Sequence, residues 1–206
     1  YSPQPAQKSF QLSDSYSVKT APQKVDVEPV SLDTFPPLGF AKAQLHKTYI
    51  ISQTQDSILI VDQHAAHERI LFDRFSAQAE HIPSQQLLVH LLLDFSSREA
   101  KLIEEQGELF RSLGFGLEPS GPEQFRLTEV PADVPVNEAE ALIREILVDM
   151  EELHRPSAAE LRKRALATTA CKAAIKAGME LNLRQMQVLL DELNATAMPY
   201  TCPHGR

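Results

Sequence analysis

The sequence predicts an α+β fold in two subdomains. One has a mostly antiparallel sheet plus helices and is discontinuous in the chain; a smaller α/β unit is inserted into it. Three observations carry this. Residues 38–45, 48–52 and 57–61 are short β-branched or apolar runs separated by turn-formers, which read as consecutive antiparallel strands. Helical spacing of apolar residues dominates the last fifty or so positions. Between about 85 and 154 the chain has its own strand-helix-strand-strand-helix pattern, which suits an insertion with its own sheet.

Taken in order, residues 1–36 read as a flexible linker: Pro3, Pro5, Pro22, Pro29 and Pro36 punctuate a Ser- and Gln-rich stretch without apolar period. Leu38–Leu45 and Thr48–Ser52 are the first two strands. Ser57–Val61 (SILIV) is almost continuously apolar, the mark of a central, buried strand. Gln53-Thr54-Gln55-Asp56 supplies the hairpin turn before it. A helix follows over about Ala65–Ala79, broken by Pro83. Leu87–Phe95 is a strand. Ser96 with Glu99 three residues on forms a capping box for a helix running to about Leu113. Phe115–Glu118 and Gln124–Val130 pair around Pro119-Ser120-Gly121-Pro122. A helix spans about Asn137–Leu153, another runs from Pro156-Ser157 to a stop at Gly178, and a last one covers about Asn182–Leu193. The apolar Leu189, Leu190 and Leu193 of that helix are expected in the core.

Composition excludes several classes. No window approaches the roughly 20 apolar residues that span a bilayer, and no signal peptide is present. Two cysteines outside any CxxC frame argue against a disulfide scaffold and fit a reducing compartment. The net charge of -8 rules out nucleic-acid binding by bulk electrostatics. The chain starts at Tyr1 and is expected to be a piece of a longer protein. P-loop, GxGxxG and GxSxG motifs are missing.

The chemistry concentrates in Asp62-Gln63-His64-Ala65-Ala66-His67-Glu68-Arg69, at the junction of a strand and a helix. His64 and Glu68 are four apart and share a helix face, so an imidazole and a carboxylate can reach one divalent ion. Taken alone, the run also fits a capping Asp62 with surface His64, His67 and Glu68. Cys202-Pro203-His204 offers a thiolate and an imidazole two residues apart in an extended segment, and Cys171 lies in a helix. Thiolate plus imidazole favours Zn²⁺, while carboxylates admit Mn²⁺ or Mg²⁺. The order HxxHE matches neither HExxH nor HxxEH, which argues against a metallopeptidase. Arg162-Lys163-Arg164, with Lys172 and Lys176, is either a solvated helix face or a weak phosphate-contacting strip.

DQHAAHERI, then ACKAAIKAG (Ala170–Gly178), then CPHGR (Cys202–Arg206), together resemble the carboxyl-terminal domain of the bacterial MutL family of DNA mismatch-repair proteins, in the branch that carries a latent endonuclease. The resemblance covers roughly Pro37–Arg206, and GFAKAQLHKTYII is similar to that domain's opening strands. It implies a homodimer that nicks DNA with Mn²⁺ (or Mg²⁺) and binds Zn²⁺. It implies a dimerisation and endonuclease subdomain at 37–84 and 155–206, and an external regulatory subdomain at 85–154. An ATPase domain is expected upstream, and the mismatch-recognition protein MutS and a sliding clamp are expected as partners in a cytoplasmic, nucleoid-associated setting.

Residue by residue, the family motif DQHA-x2-E-x4-E places catalytic and metal-binding roles on Asp62, His64 and Glu68. Its final Glu falls on Asp73, one methylene shorter and off the His64 face. Cys171, Cys202 and His204 carry over as metal ligands. In this reading Glu68, Cys202 and His204 hold one Zn²⁺-like ion, and Asp62, His64 and Cys171 complete a neighbouring position. The family's clamp motif aligns on Gln85 and Leu88, with His90 where Pro is usual. The alternative from another class is a non-catalytic dimerisation and docking module with a structural zinc.

Overall fold

The computed structural model describes residues 35–78, 81–153 and 156–201. Residues 1–34 of the expected linker, Cys202 and His204 fall outside them. The first sheet is an antiparallel three-stranded meander of β1 (Phe40–Leu45), β2 (Tyr49–Gln53) and β3 (Ile58–Asp62), in the order β1-β2-β3. Tyr49 pairs with Asp62 and Ile51 with Ile60, so Ile50 and Ser52 face inward while Tyr49, Ile51, Ile58 and Ile60 face outward. β1 joins β2 through His46 and Lys47, both at positive φ (52° and 50°), with Thr48 N–H closing the turn on Leu45 O. This is a mirror-image hairpin turn of the kind that matches strand twist, built here without glycine.

α1 (Gln63–Ala77) starts directly from β3, because Asp62 caps it: Oδ1 accepts the His64 and Ala65 amides. It ends at Ala77, short of Pro83. A second antiparallel sheet follows, in the order β4-β6-β5, from β4 (Ser84–Asp94), β5 (Gly116–Pro119) and β6 (Gln124–Pro131). Between β4 and β5 the single helix expected from Ser96 is two: α2 (Ser97–Glu105), with the predicted Ser96/Glu99 capping box, and α3 (Gly107–Ser112). Gln106 leaves helical geometry and Gly107 restarts the chain. A 3-10 turn (Val136–Glu138) leads into α4 (Ala139–Glu152). α5 (Ala158–Ala173) carries a Ser157/Glu160 capping box, and α6 (Leu183–Asn194) an Asn182/Gln185 one.

Two apolar clusters form. The larger joins β4–β6 and α2–α4 with Leu71 and Phe75 of α1 and Ala165, Leu166 and Ala170 of α5. The smaller joins Leu38, Ile50, Ala66 and Ile70 to Ile175, Leu181 and the apolar face of α6, where Leu189, Leu190 and Leu193 are buried as expected. α1 therefore belongs to both. No helix among the described residues is long and apolar enough to cross a membrane.

Two expectations are corrected. β3 is an edge strand with one open face, Ile58 being 70% and Ile60 66% exposed, and not a central buried one. The run is apolar on both sides, but only the side bearing Leu59 and Val61 packs on the smaller cluster. α5 stops at Ala173, five residues before Gly178, because Ala174 turns to ψ 153° and Ile175 is bound from α1.

Phe75 is fully buried in the larger cluster while sitting on the helix that carries the candidate site. Phe75→Ala should lower unfolding stability by about 3–5 kcal/mol; urea denaturation of the two chains at matched concentration checks this.

Candidate metal centre

α1 presents His64 and Glu68 one turn apart, and their Nε2 and Oε2 atoms lie 4.0 Å from each other. α5 packs across α1 and brings Cys171 Sγ to 3.9 Å from His64 Nε2. One donor atom from each of His64, Glu68 and Cys171 falls within 4.8 Å of the others. In a tetrahedral site with bonds of roughly 2.0–2.3 Å, donors stand roughly 3.3–3.8 Å apart. The three groups therefore need only a small contraction to share one ion. Glu68 is buried, while His64 and Cys171 are half-buried, which leaves the site an open side.

The orientation of His64 is set by the backbone. Its Nδ1 lies 2.9 Å from Ile175 O, and a carbonyl can only accept, so the proton sits on Nδ1 and Nε2 keeps the lone pair that could hold an ion. The other face of Ile175 is held by His67, whose Nδ1 accepts the Ile175 amide at 3.0 Å. Gln63, fully buried, ties the same connection at its far end: Nε2 donates to Met179 O at 3.1 Å and to Lys47 O at 2.9 Å, while Oε1 accepts from Gln44 Nε2 at 2.6 Å.

The donor chemistry fits a soft or borderline divalent ion. Burial, then the Glu68 carboxylate, pushes the Cys171 thiol above the ordinary thiol range, with Lys176 and Lys172 pulling the other way. A cation among these groups reverses that balance and favours the thiolate. His67 is pushed from 6.5 down to about 4, first by burial, then by the Arg74 and His64 charges.

The sequence-predicted residues divide as follows. His64, Glu68 and Cys171 converge, although the sequence reading put Glu68 on a different ion from the other two. Asp62 stands apart from that group: its Oδ1 caps α1. Asp73 is held elsewhere, accepting from Arg69 at 3.2 Å and from the Ala197 amide at 3.1 Å. Thr201, the last described residue, fastens its carbonyl to Arg69 Nε at 2.7 Å, directly beside Glu68 in the chain. Cys202 and His204 begin one residue later and lie outside the described residues.

The expected cationic strip is largely spent on intramolecular partners. Arg164 pairs with Asp149 and Glu152, Lys172 with Glu145 at 2.8 Å, and Lys176 with Glu138 at 3.5 Å; Arg162 donates to Ser112 Oγ and Gln78 O. Lys163 is exposed and has no such pairing among the described residues. Lys176 lies beyond the end of α5 and donates back to Lys172 O and Cys171 O, so the helical face once expected for Lys172 and Lys176 is a C-terminal cap instead. In the second sheet, β4 slips register between Gln86 and Leu91, leaving Leu88 fully exposed and Gln85 on an edge strand. The sequence names Gln63 and His67 within the motif run but not their partners, the backbone of Ile175, Met179 and Lys47. The spacing of His64 and His67, three apart on one helix, was the available signal.

An α+β unit with a three-donor site between two helices defines the class: a domain with a candidate divalent-metal centre. Residues 42–181 match the model of the MutL C-terminal dimerisation domain, and the chain belongs to that family. It is 40% identical over 174 residues to the DNA mismatch repair protein MutL of Xylella fastidiosa (strain 9a5c). It is 38% identical over 175 residues to those of Xanthomonas oryzae pv. oryzae (strain PXO99A) and Xanthomonas campestris pv. campestris (strain B100). Each alignment covers 83% of this chain and 28% of the relative, so the chain spans little more than a quarter of the length of those proteins.

The His67 shift gives a pH dependence. Above 6.5 the imidazole is neutral folded and unfolded, and contributes no difference; as pH falls toward 4 only the unfolded chain gains its proton. Folding stability should fall over that window by on the order of 3 kcal/mol from this group. Chemical denaturation of the wild type and His67→Asn across the same pH range checks it: the variant should lose that part of the slope.

Proposed function

We propose that this chain is the metal-dependent DNA-nicking endonuclease domain of a mismatch-repair MutL homodimer. The convergence of His64, Glu68 and Cys171 within 4.8 Å carries the reading. Cys202 and His204 are the further ligands proposed, and Thr201 is anchored beside Glu68. Asp62 orients the ligand-bearing turn of α1 through its cap, and His64 enters with Nε2 preset by Ile175 O. A Zn²⁺ or Mn²⁺ (or Mg²⁺) ion held there would neutralise charge on a phosphodiester and acidify a water. Lys172 and Lys176, whose charges act on Cys171, and the exposed Lys163 are the cations proposed for the DNA backbone. With a net charge of -8 the grip on DNA is weak, and tethering to an upstream ATPase domain, MutS or a sliding clamp supplies effective concentration. The exposed bulge of β4 around Gln85 and Leu88, within the external regulatory segment 85–154, is the proposed clamp contact.

The dimer surface we assign to the outer face of the first sheet. Phe40, Leu45, Tyr49, Ile58 and Ile60 leave one side of three adjacent strands apolar and open. An uncovered apolar face of that kind marks an interface, and a two-fold pairing makes one patch self-complementary.

Glu68→Lys should reduce Mn²⁺-dependent nicking of supercoiled plasmid by about 100-fold or more, while sedimentation still gives a dimer. Wild-type nicking by the folded variant would sink the assignment. Stoichiometric zinc with no nicking by the wild type would favour the other reading, a dimerisation and docking module with a structural zinc. Independently, Ile58→Asp combined with Ile60→Asp should convert the protein to a folded monomer by light scattering; an unchanged dimer would place the interface elsewhere.

A further inference from the structure

Ile175 lies just beyond the end of α5, where the helix no longer supplies partners for its backbone. Its amide donates to His67 Nδ1 at 3.0 Å and its carbonyl accepts from His64 Nδ1 at 2.9 Å, so the two imidazoles of one helix grip opposite sides of a single residue. The Ile175 side chain is buried in the smaller cluster, which holds the residue at a third point. The two histidines therefore carry opposite tautomers: His67 must leave Nδ1 bare to accept an amide proton, and His64 must keep its proton on Nδ1 to donate to a carbonyl.

We propose that His67 is a positioning residue of the metal centre: by accepting the Ile175 amide it pins the backbone whose carbonyl orients His64, and so fixes His64 Nε2 toward Glu68 and Cys171. This rests on the metal reading above for its consequence, but not for its geometry. The His67 Nδ1 is spent on backbone, the Ile175 amide. Gln63 supports the same connection from its other end, through Met179 O at 3.1 Å and Lys176 O at 3.3 Å. Metal-ligating histidines are ordinarily oriented by a partner on the second nitrogen. Here that partner is a carbonyl in a non-helical connection, outside the hydrogen-bond ladder of α5. His67 fixes the peptide beside it. Removing the acceptor buries an unpaired amide, and the peptide is then free to rotate away from His64.

The test uses the full chain, uniformly ¹⁵N-labelled, in three forms: wild type, His67→Leu and His67→Asn. Asn places an acceptor oxygen near the position of Nδ1, whereas Leu keeps apolar volume and removes the acceptor. Circular dichroism and thermal melts establish folding. Two readouts follow. Imidazole ¹⁵N spectra of the metal-free chain should report His64 as the Nδ1–H tautomer in the wild type and in His67→Asn, and as a mixture in His67→Leu. Titration with Co²⁺, followed by its thiolate charge-transfer absorption, should show His67→Leu binding about 10–100-fold more weakly and His67→Asn binding like the wild type.

A folded His67→Leu with wild-type tautomer and wild-type Co²⁺ affinity overturns the proposal. So does a wild-type His64 protonated on Nε2, a result that needs no variant and stands even if His67→Leu fails to fold. If the wild type takes up no Co²⁺ at all, the metal reading fails on its own, and the tautomer spectra still decide whether His67 orients His64.

Discussion

The rest of the structure hangs on how α1 is buried. Ala66 and Ile70 pack into one apolar cluster, Leu71 and Phe75 into the other, and the side between them meets α5. On that third side the sequence puts polar groups, and Gln63, His67 and Glu68 are nearly inaccessible to water. Buried polar groups must be satisfied or they cost free energy. Gln63 and His67 meet this demand with backbone atoms of the chain that follows α5. The need to pair those side chains is thus what ends α5, bends the chain at Ala174 and lays Ile175 against α1. Once the connection is laid there, Cys171 on the last turn of α5 faces His64 and Glu68. Core packing and the geometry of the site are two results of the same arrangement.

The turn between β1 and β2 depends on it too. His46 and Lys47 both occupy the left-handed region, which costs energy for residues with a Cβ. Lys47 O is held from two directions, by Gln63 Nε2 and by the Gly178 amide, each at 2.9 Å. Gly178, itself at φ +87°, is therefore no helix terminator but the residue whose positive φ lets the connection reach that turn. A single buried glutamine links the hairpin, α1 and the α5–α6 connection.

How much of this could be read in the chain depends on how local its cause is. The capping box at Ser96, the helix starts near Ser157 and Asn182, the β2–β3 hairpin, and the pairing of His64 with Glu68 all follow from residues a few positions apart, and they appear as the sequence suggests. Ser157 and Asn182 were read only as helix starts; their reciprocal caps follow the same short-range logic. The exposed face of β3 escaped because an apolar run says that both sides want cover, without saying which side the chain itself supplies. The early end of α5 escaped because its cause lies on α1, more than a hundred residues back. Cys171 is a candidate donor by its chemistry and by family resemblance, but no spacing rule connects it to His64 across 107 positions. His67 looked like a surface residue because its partner is a backbone amide, which carries no signature in sequence.

The electrostatics around the site bear on what a domain of this kind can do alone. The cations nearest Cys171 are already matched by α4 and the 3-10 turn before it: Lys172 by Glu145, Lys176 by Glu138, and Arg164 further along by Asp149 and Glu152. These pairs are partly exposed, so each is worth little to stability, but together they cancel the positive potential that a phosphodiester would otherwise meet. A DNA strand approaching this rim must compete with carboxylates already in place, on a molecule of net charge -8. Simple diffusion to the surface is therefore a poor route to binding. Two things can change the balance: a divalent ion among His64, Glu68 and Cys171, which adds positive charge where the carboxylates of α4 do not reach, and a high local concentration of DNA imposed by covalently linked or bound partners. Both lie outside the bare chain. On the nicking reading, the acidic rim then has a use: it keeps the site off DNA until another part of the assembly has placed a strand there.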